Sequence, residues 1–261
     1  MRPAVATSPG DRRPAAGGAL LCVRHTARGT VVERLRRGER LAPRVLDAGP
    51  GAVHACLLPT QAGPLSGDHD IVRITVGPGA ALVVEPVVAI LALPGPQRTV
   101  LEMDITVQAG GRLVLDEGPL VVCAGADVHR RTTLDLEPGA VAALRDIVVL
   151  GREGECPGAV DSSLRAMLGS IPLLQDALRL SVRSPREHQH VALAPGHRVV
   201  TTVCLLGRRP SEGAPDPEVL NLHGPGALRR GTGASLAAVE AATAGVWRAW
   251  WGEAMGAAGN A

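Results

Sequence analysis

The sequence predicts a mainly β chain: a layered, β-helix or solenoid-like stack of strand-turn-strand units with one or two C-terminal helices. Three observations lead there. The 261 residues are 46% hydrophobic but include three Trp and no Phe or Tyr, so aliphatic side chains must fill the core. The Val-rich runs favour strands, because β-branched side chains pack well on a pleated surface. A unit of strand, Gly-centred tight turn and strand also recurs: "DIVRITV-GPG-AALVVEP" over 70–86, "LEMDITV-QAGG-RLVLDEG" over 101–118 and "RTTLDL-EPG-AVAALRD" over 131–146. The last apolar residues before these turns, Val76, Val107 and Leu136, are 31 and 29 residues apart. Such a period, with two strands per unit, marks stacked units that cover one another's apolar faces. A β-sandwich with regularly recurring hairpins is the competing architecture.

Residues 1–18, "MRPAVATSPGDRRPAAGG", are polar and broken by Pro and Gly, which predicts a disordered leader. They lack the apolar run of a secretory signal. The longest apolar stretch, "PVVAILALP" over 86–94, is too short to span a bilayer. The expected location is therefore the cytoplasm, with no membrane partner. The β domain follows over 19–207. Within it, "QAGPLSGDHD" over 61–70 is a polar turn that feeds the first clear strand pair. In "DIVRITV", Ile71, Arg73 and Thr75 face one way, and Val72, Ile74 and Val76 the other. "LRAML-GS-IPLLQDALRL" over 164–180 continues the spacing, with Leu168 32 residues after Leu136. "VALAPGHRVVTTV" over 191–203 repeats the turn chemistry, in which Gly supplies φ > 0 and Pro pre-sets the position before it. Residues 208–234 read as a loop region, opening on "RRPSEGAPDPE". From 235 to 261 the chain is Ala-rich. Leu236, Val239, Trp247, Trp250 and Trp251 form a rough helical stripe there, weakened in its middle by Gly245. That stripe is expected to dock on the β body; an amphipathic helix for a partner is the alternative.

Composition excludes several functions. The net charge is +2, from 27 basic and 25 acidic residues with no basic block, and the 1% aromatic content leaves no base-stacking platform, so nucleic acid is not an expected partner. All the basic residues are Arg. A P-loop, a Schiff-base lysine and a carbamylated-lysine metal bridge are thereby ruled out. The cysteines at 22, 56, 123, 156 and 204 are scattered and form no C-x-x-C, which suits free thiols in a reducing compartment. Asp68, His69 and Asp70 are suitable ligand types for nickel or zinc and would serve a metal-dependent hydrolase. However, neighbours in an extended segment point to opposite faces, so only Asp68 and Asp70 can share one. No HExxH, GxSxG or Cys-His constellation joins them. His188 and His190 stand two apart in "REHQHVAL", a spacing that suits weak metal affinity or plain surface decoration. "GPGAAL" over 77–82 lacks the third Gly and the following helix of a dinucleotide loop.

An ordered set of landmarks runs from about Gly29 to Gly207. "AVHACLLPTQAGPLSGD" (52–68) ends on Gly67-Asp68, and "VRITVGPGAALVVEP" (72–86) follows. "LVLDEGPLVVCAGADVHRRTTLDLEPGA" (113–140) holds the pair Gly125-Ala126. "LRDIVVLGREGE" (144–155) carries Asp146, Gly151, Arg152, Gly154 and Glu155, and "SIPLLQDALRL" (170–180) comes next. In this order they resemble the urease accessory protein UreD family, also called UreH. Where many members of that family carry a "KFYR"-like stretch this chain has "VVAILALPG" (87–95), and where they carry an aromatic-Pro-Gln segment it has "LDEGPL" (115–120). It resembles a divergent, aromatic-poor branch.

The resemblance implies a non-enzyme with an unusual layered, β-helix-like fold. It implies a scaffold that binds UreF, through it the GTPase UreG, and docks on apo-urease. Nickel would pass through it to the urease active site, in transit only, with no resident cofactor. Asp68, Asp146 and Glu155 are the candidate way-stations; Gly67, Gly125, Gly151, Arg152 and Gly154 are the structural positions of the motif. A nickel path needs oxygen or imidazole groups spaced along a wet channel that still release the ion, and scattered carboxylates suit that better than a tight His/Cys cluster. Two other readings compete: the Asp68/His69/Asp70 hydrolase, and a β-solenoid interaction module unrelated to urease.

Overall fold

The computed structural model describes residues 18–49, 51–180, 193, 196–211 and 216–256. The leader apart from Gly18, and the pair His188 and His190, lie outside the described residues. In chain order the elements are β1 (Ala19–Thr26), β2 (Gly29–Arg36), β3 (Leu41–Ala48), β4 (Val53–Pro59), β5 (His69–Val76), β6 (Ala81–Val84), β7 (Ile90–Ala92) and β8 (Thr99–Val107). There follow β9 (Arg112–Val122), β10 (Asp127–Leu136), β11 (Val141–Leu150), β12 (Ala159–Leu168), β13 (Ile171–Leu180), β14 (Val199–Leu206), β15 (Val219–Asn221), β16 (Gly226–Gly233) and α1 (Leu236–Met255).

Two sheets face each other. The first runs β13-β12-β10-β8-β5-β1-β2, and the second β15-β16-β14-β11-β9-β6-β4-β3, with β7 beside β9. Their central strands are parallel, and successive turns of the chain pass from one sheet to the other, giving about four stacked, solenoid-like coils. The period read from the sequence is the register of the stack. Val23 lies beside Val76, Val76 beside Val107, Val107 beside Leu136 and Leu136 beside Leu168. Each tight turn closes with a bond from its fourth N–H to its first carbonyl, as from Ala80 to Gly77 at 3.1 Å and from Ala140 to Glu137 at 3.0 Å. Gly79 and Gly139 occupy the third position at φ +62° and +82°, which a type II turn demands.

The stack stops sooner than the spacing suggests. β12 keeps the register, but the second half of the 164–180 unit turns back as β13, antiparallel to β12 in the same sheet. β14 likewise runs antiparallel to β11 and does not begin another coil. Between β12 and β13 the two-residue turn Gly169-Ser170 makes the reversal, whereas another parallel strand needs a full crossover. The expected loop region 208–234 is corrected as well, since it supplies two strands, β16 paired to β14 and β15 paired to β16. Its Gly-rich, Arg-containing sequence carries no alternation; the pairing with β14 imposes the strand.

The C-terminal segment forms one helix, continuous through Gly245. Ser235 caps its start by accepting the Ala238 N–H at 3.3 Å, and Gly256 ends it in the left-handed conformation. Trp247 and Trp250 are buried against Ala81, Val83, Ala143 and Val203, small or branched side chains on the outer face of the second sheet. The tryptophans therefore dock the helix on the β body, and Arg145 lies over the Trp247 ring at 5.0 Å.

Gly207, just after β14, has φ +91°, and a Cβ there would collide with the Ala140 carbonyl oxygen. Gly207→Ala is expected to lower stability by at least about 2 kcal/mol, from backbone strain added to the clash. Denaturant unfolding checks this, and a midpoint equal to wild type would contradict the close approach.

Candidate functional site

The space between the sheets is not uniformly apolar. One core cluster lies toward the tight turns and includes Val76, Ile105, Leu134, Leu113 and Leu144. A second lies toward the other end of the strands and includes Val122, Val128, Val148, Val160 and Leu180. A polar band separates them. The buried side of β10 shows the change, reading Val128, Arg130, Thr132, Leu134, Leu136. Across the first sheet one row places Asp70 beside Leu101, Leu101 beside Arg130, and Arg130 beside Ser162. The next row carries Thr132 and, on β13, Asp176. Facing them from the second sheet are Glu117, Asp146, Thr202 and Arg230.

A bulge brings Glu117 into the band. The register of β9 against β11 shifts between Arg145, opposite Asp116, and Ile147, opposite Pro119. Two residues of β9, Glu117 and Gly118, thus oppose the single Asp146, and such an insertion re-aims side chains. Arg130 is the centre of the band, with a side chain only 6% exposed. It forms a close ion pair with Asp146, donates Nε and Nη2 to Ser162 Oγ at 3.1 and 3.0 Å, and approaches Glu117 Oε2 at 4.0 Å. The second oxygen of Asp146, Oδ1, is buried without a hydrogen-bond partner among the described residues. Asp176 pairs with Arg230, which also donates to Thr202 Oγ1 at 3.3 Å.

At the other end Arg40 holds two carboxylates, Asp68 Oδ1 at 2.9 Å and Asp70 Oδ1 at 3.0 Å. A cavity of about 80 Å³ reaches from Arg40 and Asp70, past apolar walls, to Glu117, Arg130 and Thr132. A second, of about 30 Å³, shares those last three residues and continues to Asp146, Ser162, Asp176 and Thr202.

Burial acts on the ionisation of Asp70, Glu117, Arg130 and Cys204. It pushes the Asp70 carboxyl up, with Arg40 pulling the other way. Burial raises Glu117 further, from 4.5 to about 7, against the opposing pull of Arg130. Burial disfavours the Arg130 charge, but Asp146 and Glu117 outweigh it and hold the guanidinium protonated. Burial also raises the Cys204 thiol, so it stays neutral beside the smaller cavity.

The raised Glu117 value has a definite sign. The folded chain holds this proton more tightly than the unfolded chain does. The resulting penalty is absent below about pH 4.5 and fully present above about 7. Glu117→Gln is therefore expected to match wild type near pH 4.5 and to exceed it at pH 8, by up to about 3 kcal/mol. Unfolding curves of both proteins across that range test it; a difference that does not grow with pH would contradict a strained, ionised Glu117.

Of the residues singled out from the sequence, Asp146 lies in the band, and Asp68 joins its mouth through Arg40. Asp68 also accepts the Leu65 N–H at 2.7 Å, so it orders its own turn. His69 points away, 3.5 Å from Glu102 on the outer face. The three consecutive residues 68–70 thus make no common site. Glu155 stands outside both cavities. It takes Arg152 Nε at 2.7 Å and the N–H groups of Arg152 and Ala124 at 3.0 and 3.4 Å, tying two adjacent corners of the stack. That pairing with Arg152 lowers its carboxyl to about 2. Gly67, Gly125, Gly151 and Gly154 all sit in turns at positive φ. Sequence reading passed over Arg40, Glu117, Arg130 and Asp176. Two signals were available: the acidic pair Asp116-Glu117 in an otherwise apolar strand, and a charge at the inward phase of "DVHRRTTLDL".

The family model described as UreD urease accessory protein matches residues 16–259. A urease accessory protein UreD 1 of Streptomyces griseus subsp. griseus is 38% identical over 228 residues, covering 87% of this chain and 86% of that protein. A urease accessory protein UreD of Streptomyces coelicolor is 31% identical, covering 82% and 89%. One from Frankia alni is 34% identical, covering 76% and 75%.

Proposed function

Because this chain belongs to the UreD family of urease accessory proteins, we propose that it acts in urease maturation as a scaffold that passes nickel through its polar band. The band carries this reading. It is a row of buried and half-buried carboxylates that crosses the sandwich between two apolar slabs, where a structural core would place aliphatic side chains. Buried charges are costly, and replacing them with packed hydrophobic residues often stabilises a fold. A path for a cation is a reason to keep them. The proposed route runs from Asp68 and Asp70 at the Arg40 mouth, past Glu117, to Asp146 and Asp176. The carboxylates are strung over several strands, so each can take the ion and release it to the next. Glu155 supports the route as a staple between corners.

UreF, UreG bound through UreF, and apo-urease are the proposed partners, and the protein itself performs no chemistry. The hydrolase reading finds no support in the geometry, since Arg40 clamps Asp68 and Asp70 while His69 faces outward. Family membership also displaces the reading of a module unrelated to urease. The test is complementation together with partner capture. The chain is expected to co-elute with UreF and to restore urease activity in cells lacking their own UreD. Folded protein that does neither would sink the proposal.

A further inference from the structure

We propose that Arg130 is the internal gate of this path: its guanidinium occupies, between Asp146, Glu117 and Ser162, the place a passing divalent cation must take. The proposal rests on the conduit reading above and adds how passage is controlled.

Position is the first support. Arg130 lies on the shared wall of the two cavities, with Glu117 and Thr132, so an ion moving from one to the other must pass it. Chemistry is the second. The groups around its nitrogens are two carboxylates and a hydroxyl, a set of oxygen donors that suits a divalent cation equally well. Arg130 is thus a competitor built into the chain. While it is seated, its fixed charge repels an approaching cation and its bulk separates the cavities. It also neutralises the acids, so they do not form a trap that would retain nickel.

The surroundings allow the exchange. Asp146 Oδ1 is buried and has no hydrogen-bond partner among the described residues, which gives an incoming ion a first oxygen before the guanidinium leaves. The larger cavity has walls such as Leu101, Met103 and Leu120 that can receive the arginine stem, with Asp70 at its far end as a counter-charge. One cation replaces another, and the band never carries its acids bare.

Nickel(II) binding to the isolated full chain, measured by calorimetry, tests the gate. Arg130→Gln is expected to bind nickel at least about tenfold more tightly than wild type, a difference of about 1.4 kcal/mol. Adding Asp146→Asn to that variant is expected to remove the gain. Ser162→Ala keeps every charge and removes the hydroxyl that accepts two Arg130 N–H groups. It is expected to give a smaller, severalfold gain with the same dependence on Asp146, and it decides the matter if Arg130→Gln does not fold. Equal affinity in wild type and the folded variants, or a gain that survives Asp146→Asn, overturns the gate. The complementation result is separate. A chain that matures urease without this competition loses only the gate; a chain that shows the competition but matures no urease loses the conduit.

Discussion

Replacing Arg130 with methionine is expected to lower the folding free energy by about 3–5 kcal/mol, read from denaturant unfolding at neutral pH. The stem of methionine fills part of the arginine's space, so lost packing is not the main term. The loss comes from the partners. Asp146 would keep a carboxylate inside the sandwich with no cation beside it, and Glu117 would lose the one charge that opposes its desolvation. Removing one member of a buried ion pair costs far more than removing the pair, because the remaining charge stays buried. Adding Asp146→Asn and Glu117→Gln to Arg130→Met should therefore recover most of the stability, and that non-additivity identifies the three residues as one unit. An Arg130→Met chain as stable as wild type would mean that the band is open to bulk water.

Asp146→Asn is expected to lower the nickel content of urease matured in complemented cells on the order of tenfold, the scale seen when a group that tunes a metal site is lost. UreF co-elution is expected to survive. Asparagine keeps the shape of the side chain and still accepts from Arg130, but it leaves the Arg130 charge without its carboxylate, so some stability is lost and nickel content is compared per folded chain. Asp68→Ala should act in the same direction, but with some loss of stability, because Asp68 also caps its turn through the Leu65 N–H. Glu155→Ala gives the contrast. It unties two corners outside the cavities, so urease nickel should fall only as far as the amount of folded chain falls. Normal nickel content with both Asp146→Asn and Asp68→Ala would remove the conduit from the account and leave a scaffold.

The parts of the fold visible in the sequence are those set by local rules. A parallel stack returns each strand to the same height once per coil. The spacing of Val76, Val107 and Leu136 therefore had to appear as a near-constant period, and it reappears as lateral neighbours. Alternation with period two placed Asp68 and Asp70 on one side, where Arg40 meets both. The turn glycines were readable because positive φ is a backbone requirement of one residue. β15 and β16 were not readable, since "GALRRGTG" is a strand only because β14 lies beside it.

The polar band belongs to the same second category. By itself the sequence determined the coil repeat, the docking helix with its tryptophans, and the individual acids Asp68 and Asp146. Tertiary structure alone decided that Arg40 would bridge two acids 28 and 30 residues away, that a bulge would turn Glu117 inward, and that Arg130 would meet Asp146 from the opposite sheet. Strand period and turn chemistry act between residues close along the chain. A buried charge needs a partner, and for Arg130 that partner lies across the sandwich, chosen by how the two sheets face each other, which no stretch of sequence contains.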